Sequence, residues 1–225
     1  MNEPVNVILW DIDGTLLSTG GAGREALDLA FEELFGVPKA FVAVSFGGRT
    51  DLGLIGEAFE RAGLAMPEDA APQLHDRYIG HLQRILAQRP ERARLLPGLP
   101  RALAETEPRA VNALLTGNWR AGAVVKLGAV GLSGHFRFGA FGDDAADRNA
   151  LVPIARRRAE AHGVTPGRVI VIGDTPHDVA CARAGGAIAV AVCTGWSSRE
   201  ELLACGPDLL IEDLVSGLDA FLDLL

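Results

Sequence analysis

Cysteine is scarce in this 225-residue chain: Cys181, Cys193 and Cys205 are odd in number and twelve apart, which fits neither a disulfide framework nor a zinc site. They read as reduced, packed thiols. Long apolar runs are missing as well. The longest, such as Gly186 to Val192, fall far short of the roughly 18 residues that span a bilayer. The opening stretch MNEPVNVILWDIDGT lacks a basic region ahead of its apolar residues, so it does not read as a secretory signal, and a cytoplasmic protein is expected. Positive charge is short too. With 21 Lys and Arg against 29 Asp and Glu, the net charge of −8 argues against nucleic acid or an anionic membrane as partner. The nearest basic block, Arg156-Arg157-Arg158, reads as the solvated face of a helix. No internal repeat or long low-complexity segment is present. What remains is ample core material, 48% hydrophobic residues with only 22% charged, which predicts a compact globular protein.

Apolar runs rich in Val, Ile and Leu predict strands at Val5 to Trp10, Ala110 to Leu115, Arg168 to Ile172, Ala187 to Val192 and Asp208 to Ile211, with a weaker one near Phe138 to Phe141. Most are followed by a segment of helical period. That alternation predicts an α/β fold, a Rossmann-like parallel sheet with helices on both faces, in which ligands bind beyond the carboxyl ends of the strands. From about Leu17 to Leu96 the rhythm breaks. Helices are predicted there near residues 23–35, 50–62 and 67–88, with Leu27, Phe31 and Leu34, or Leu52, Ile55 and Phe59, at helical spacing. The economical reading is a helical cap domain over residues 17–96, inserted into a core of residues 1–16 and 97–225, with hinges at Gly20-Gly21 and Pro97 to Pro100.

Three strand ends carry candidate chemistry. Asp11-Ile12-Asp13-Gly14-Thr15 places two carboxylates after the first strand, where they line an opening or belong to an ordinary strand-ending turn. Gly173-Asp174-Thr175-Pro176-His177-Asp178 follows another strand, and one turn of a Pro-opened helix would bring Asp174 and Asp178 to the same cavity. Four acids at one sheet edge repel one another unless a hard divalent cation neutralises them, and an oxygen-rich site with room for water and phosphate suits Mg²⁺. The competing account is a simple helix cap at Asp174. Thr116-Gly117-Asn118 supplies a hydroxyl and free N–H groups that fit phosphoryl oxygens, or again only a cap. The three together are harder to dismiss than any one.

DIDGTL, the Thr of LLTGN and GDTPHD, in that order and each after a strand, resemble the haloacid-dehalogenase-like superfamily, and its phosphoglycolate phosphatase-like branch in particular. The resemblance covers essentially the whole chain, and the helical insertion is similar to that superfamily's first type of cap. It implies Asp11 as the nucleophile on phosphorus, forming an aspartyl-phosphate, and Asp13 as the acid and base for the leaving group and the water. It implies Mg²⁺ held by Asp11, the carbonyl of Asp13, Asp174 and Asp178, with Thr116 and the N–H groups of Gly117 and Asn118 on the transferred oxygens.

The superfamily's third motif needs a cation, commonly Lys followed by Pro. Here Ala146-Asp147-Arg148-Asn149 stands in that place, and Arg148, 26 residues before Asp174, is the preferred candidate. Lys126, ten residues after Thr116, is expected to sit well down its helix and away from the site. In the insertion, Gly47-Gly48-Arg49-Thr50-Asp51 interrupts the helical pattern, and Arg49 is a candidate for a substrate anion or a solvent-facing loop residue. The expected activity is a Mg²⁺-dependent phosphatase acting on a small phosphorylated metabolite under a mobile cap. A phosphomutase and a catalytically silent ligand-binding relative are the alternatives.

Overall fold

The structure is a computed structural model that describes residues 3–225. Strand β1 (Val5–Trp10) leads to a two-residue strand β2 (Leu17–Ser18), then to helices α1 (Ala22–Phe35), α2 (Asp51–Ala62) and α3 (Ala70–Gln88). Strand β3 (Arg94–Leu95) brings the chain back to α4 (Leu99–Thr106), β4 (Ala110–Leu115), α5 (Arg120–Ala129) and the short β5 (Gly139–Ala140). A 3₁₀ turn at Arg148–Ala150 precedes α6 (Leu151–Ala161), β6 (Pro166–Gly173), α7 (Pro176–Ala184), β7 (Ile188–Val192), α8 (Arg199–Ala204), β8 (Leu209–Ile211) and α9 (Leu218–Leu222).

Six strands form one parallel sheet in the order β5-β4-β1-β6-β7-β8. The apolar runs that predicted these strands are continuous because both faces are buried. Neighbouring residues therefore divide between two cores: Ile8, Trp10, Ile170, Ile172, Val190 and Val192 pack on one face, Val7, Leu9, Val169, Val171, Ala189 and Ala191 on the other. The weak strand near Phe138 shrinks to the two edge residues of β5. No helix of the described residues is long and apolar enough to cross a membrane.

Helices α1 to α3 build a third apolar cluster in which Phe31 meets Phe59 at 4.8 Å between ring centroids and Phe41 edge-on at 5.7 Å. Trp119, from the connection after β4, inserts into this cluster. Both connections between the sheet and the three helices run side by side, because β2 and β3 pair antiparallel through Leu17 with Leu95 and Ser18 with Arg94. This pair escaped the sequence reading, since two residues carry no periodicity. The N-terminus of α2 is capped by Thr50, whose hydroxyl accepts from the Gly53 N–H at 3.2 Å.

Candidate active site

Strand β1 ends at Trp10 and delivers Asp11 to the carboxyl edge of the sheet, with its N–H still bonded to the Ile172 carbonyl at 3.0 Å. Strand β6 ends next to it and delivers Asp174; α7 returns Asp178 one turn later. Each of these three buried acids offers an oxygen within 4.8 Å of the others. Close approach sets local sequence. Gly14 sits at φ 90°, and a Cβ there would lie 2.5 Å from the Asp174 carboxylate. Asp174 is fixed by the Trp196 N–H at 2.8 Å, and the Thr15 hydroxyl lies 3.4 Å away. Asp178 is fixed by the N–H and the hydroxyl of Thr175, at 3.0 and 2.7 Å.

Arg148 enters this cluster from the 3₁₀ turn before α6. Its Nη2 donates to Asp11 at 2.8 Å and to Asp178 at 2.5 Å, while its buried Nε has no hydrogen-bond partner among the described residues. One guanidinium faces three carboxylates. Burial, with Asp178 and Asp13 adding to it against Arg148, pushes Asp11 up to about 7. Burial and the negative charges of Asp11 and Asp178 likewise raise Asp174. Burial opposes the charge on Arg148, but Asp178 and Asp11 override it and hold the guanidinium protonated.

Asp13 belongs to a different neighbourhood. Its side chain keeps 28% exposure and accepts from Asn118 Nδ2 at 2.8 Å and from Lys126 Nζ at 2.6 Å. Lys126 also donates to Asn118 Oδ1 at 2.5 Å. The expectation that Lys126 lies away from the site is therefore wrong. Helix α5 begins only at Arg120, so Lys126 is about 9 Å along it, and a lysine leans back toward the helix N-terminus on a long stem. The signal for this was legible. Lys126 falls on the face that buries Gly122, Ala123 and Leu127, an unusual place for a lysine without a partner.

The remaining candidates divide. Thr116 is buried, and its oxygen accepts from the Asn118 side chain at 2.7 Å, which leaves its own O–H free to donate. The Asn118 amide is engaged by Asp13, Thr116 and Lys126, so its side chain orients these groups. Gly117 lies against the loop before α2: its carbonyl accepts the Asp51 N–H at 2.9 Å, and a Cβ would be 2.0 Å from the Arg49 carbonyl oxygen. Arg49 lines the cavity, but its guanidinium is turned onto Glu57 and the Gly53 carbonyl of α2, the helix that follows it.

The two residues after Arg49 are given no role by the sequence. The Asp51 carboxylate accepts the Trp119 N–H at 2.7 Å, and the Thr50 hydroxyl donates to the Ala146 carbonyl at 2.9 Å. The start of α2 is thereby docked on the loops after β4 and β5. Between sheet edge and helices lies a cavity of about 370 Å³ lined by Asp11, Asp13, Thr116, Arg148, Lys126 and Tyr78 among others.

Residues 8–183 match the haloacid dehalogenase-like hydrolase family, and the chain belongs to it. It is 30% identical over 208 residues to a phosphoglycolate phosphatase of Mesorhizobium japonicum, covering 88% of this chain and 86% of that protein. It is 29% identical over 215 residues to a phosphoglycolate phosphatase of Synechococcus elongatus, covering 92% and 93%. Among solved structures, a hydrolase from Pseudomonas syringae superposes with a TM-score of 0.73 at 20% identity, covering 98% of this chain and 99% of that one. CbbY from Rhodobacter sphaeroides, solved in complex with phosphate, gives 0.71 at 22%, covering 96% and 99%.

Proposed function

We propose that this hydrolase is a Mg²⁺-dependent phosphatase that cleaves a small phosphomonoester through a covalent aspartyl-phosphate on Asp11. The observation that carries the reading is the convergence of Asp11, Asp174 and Asp178 within 4.8 Å around the guanidinium of Arg148, beside a free Thr116 hydroxyl. The donor set fits a hard divalent cation: all oxygen, buried, and with three carboxylates to one guanidinium, while burial first and the neighbouring acids second lift Asp11 to about 7. Asp11, Asp174 and the carbonyl of Asp13 would hold the ion, with Asp178 beside them. When bound, it offsets the repulsion between an anionic nucleophile and an anionic phosphoryl group.

The chain's own groups supply the rest. An Asp11 oxygen attacks phosphorus and the ester oxygen leaves, taking a proton from Asp13. Asp13 then removes a proton from the water that attacks the acyl phosphate, which releases phosphate and restores Asp11. Thr116 and the backbone N–H groups after it hold the transferred oxygens, while Arg148 orients Asp11. Residues 17–96 form the cap over a core of residues 1–16 and 97–225, and closure shields the cavity from bulk water. The substrate is a soluble metabolite and the setting cytoplasmic; phosphoglycolate is the first compound to try, because the relatives carry that name.

Phosphate release from phosphoglycolate and from a chromogenic ester, with Mg²⁺, with chelator and with Asp11→Asn, tests the reading. Activity that needs Mg²⁺ and vanishes in Asp11→Asn supports it; Mg²⁺-independent turnover or an active Asp11→Asn enzyme defeats it.

A further inference from the structure

The cavity extends past the phosphoryl site to a second set of donors. Lys126 is 4% exposed and Tyr78 1% exposed, yet both line the cavity. An ammonium has three N–H donors. Two of those on Lys126 are committed to Asp13 and Asn118, which leaves one. The Tyr78 hydroxyl makes no hydrogen bond among the described residues, and its oxygen opens to the cavity although the residue as a whole is buried. A buried phenol of this kind ordinarily has a partner.

The first turn of α1 closes this corner. Its leading N–H groups are partly spent, Ala22 on the Thr19 carbonyl and Glu25 on that of Gly21, while those of Gly23 and Arg24 take no acceptor in the described chain. Gly23 is the point of convergence. A Cβ there would lie 3.5 Å from Lys126 Nζ and 3.8 Å from the Tyr78 hydroxyl oxygen. Gly122 keeps the corner compact, since a Cβ at that position would lie 3.1 Å from the same hydroxyl. Lys126, whose charge is shared with Asp13 and the nearby Asp51, a neutral O–H donor and the positive end of a 14-residue helix therefore face one small volume.

We propose that Lys126, Tyr78 and the first turn of α1 form an anion subsite that receives a carboxylate on the leaving group of the substrate. This rests on the phosphatase reading and extends it to specificity. Position argues for the leaving group rather than the phosphoryl group. Asp13, the acid that protonates the ester oxygen, is 2.6 Å from Lys126 Nζ. An ester oxygen within about 3 Å of Asp13 puts the next carbon or two within reach of Lys126 and Tyr78. The occupant is a short phosphorylated carboxylate whose acid group is one carbon from the ester oxygen. A neutral ester of the same size leaves the Tyr78 hydroxyl and the third Lys126 N–H unpaired, a loss that buried polar groups magnify.

Calorimetric binding of phosphoglycolate and of its neutral counterpart, 2-hydroxyethyl phosphate, to Asp11→Asn protein tests the subsite without turnover. The background protein should prefer the carboxylate about tenfold or more, and adding Tyr78→Phe should cut that preference about fivefold to tenfold. Gly23→Ala is the second variant. Its methyl meets its neighbours at ordinary contact distance, so the fold accepts it, and it fills the space the carboxylate needs. It should erase the preference while leaving the melting temperature level or higher. Equal affinity for the two esters, or a preference unmoved by both variants, overturns the subsite. Failure of the phosphatase reading is separate: it shows as wild-type protein that releases phosphate from neither ester.

Discussion

Asp11 and Asp13 stand two residues apart in one motif, yet they occupy two unlike halves of the site. Asp11 is buried at the floor of the cavity, crowded by Asp174 and Asp178 and held by Arg148. Asp13 opens to the cavity and is held by Lys126 and Asn118. Each carboxylate has its own cation. A buried acid among acids suits a nucleophile whose charge is balanced by a metal ion, and an acid in contact with the cavity suits proton exchange with ester and water. The lesson is that Arg148 and Lys126 are not rivals for one position. They serve different acids.

The largest effect expected from breaking this division is on Asp11. Asp11→Asn should lower kcat by about 10⁴-fold or more, read as phosphate release, because no neighbouring carboxylate is aimed to replace it. Next come the two cations, whose removal should separate the halves. Arg148→Met leaves Asp11 and Asp178 buried without their partner, and should cost about 3 kcal/mol in denaturant unfolding as well as activity. Lys126→Met strands an acid that still reaches water, so it should lower kcat by roughly 10²-fold with a smaller loss of stability. Equal stability losses would dissolve the contrast.

A subtler effect lies at the docked end of α2. Burial lifts Asp51 from 3.8 to about 6, with Lys126 and the Trp119 N–H opposing it. A carboxyl that binds its proton more tightly when folded contributes stability that is full below about pH 4 and is lost as pH rises through about 6. Asp51→Asn should therefore be more stable than the parent at pH 7, by on the order of 1–2 kcal/mol, with the gain vanishing near pH 4. Melting curves across that range check the sign. Smallest of all, Thr50→Ala removes a helix cap and the bond to Ala146, and should cost about 1 kcal/mol.

Much of this is legible in the sequence. Five of the six sheet strands followed from apolar runs because both faces of the sheet are covered, and the acids of the buried cluster followed from their place after those runs. The cations were harder. Arg148 could be found only by its position relative to Asp174, and Lys126 was misplaced because rise along a helix says nothing about how far back a lysine reaches. Arg49, which the sequence left open between a substrate contact and a solvent-facing loop residue, lines the cavity with its guanidinium turned onto Glu57, eight residues on, a pairing that no local pattern announces. Tyr78 and Gly23 were invisible because their meaning arises only where three helices meet.

The most direct test is a single-turnover reaction of Asp13→Asn enzyme with 2,4-dinitrophenyl phosphate, whose leaving group needs no proton from residue 13, quenched in acid and read by peptide mass spectrometry. Asp11 should carry the phosphoryl group and retain it, since the base for its hydrolysis is gone. An unmodified Asp11 peptide, or a phosphoryl group on another residue, would contradict the account.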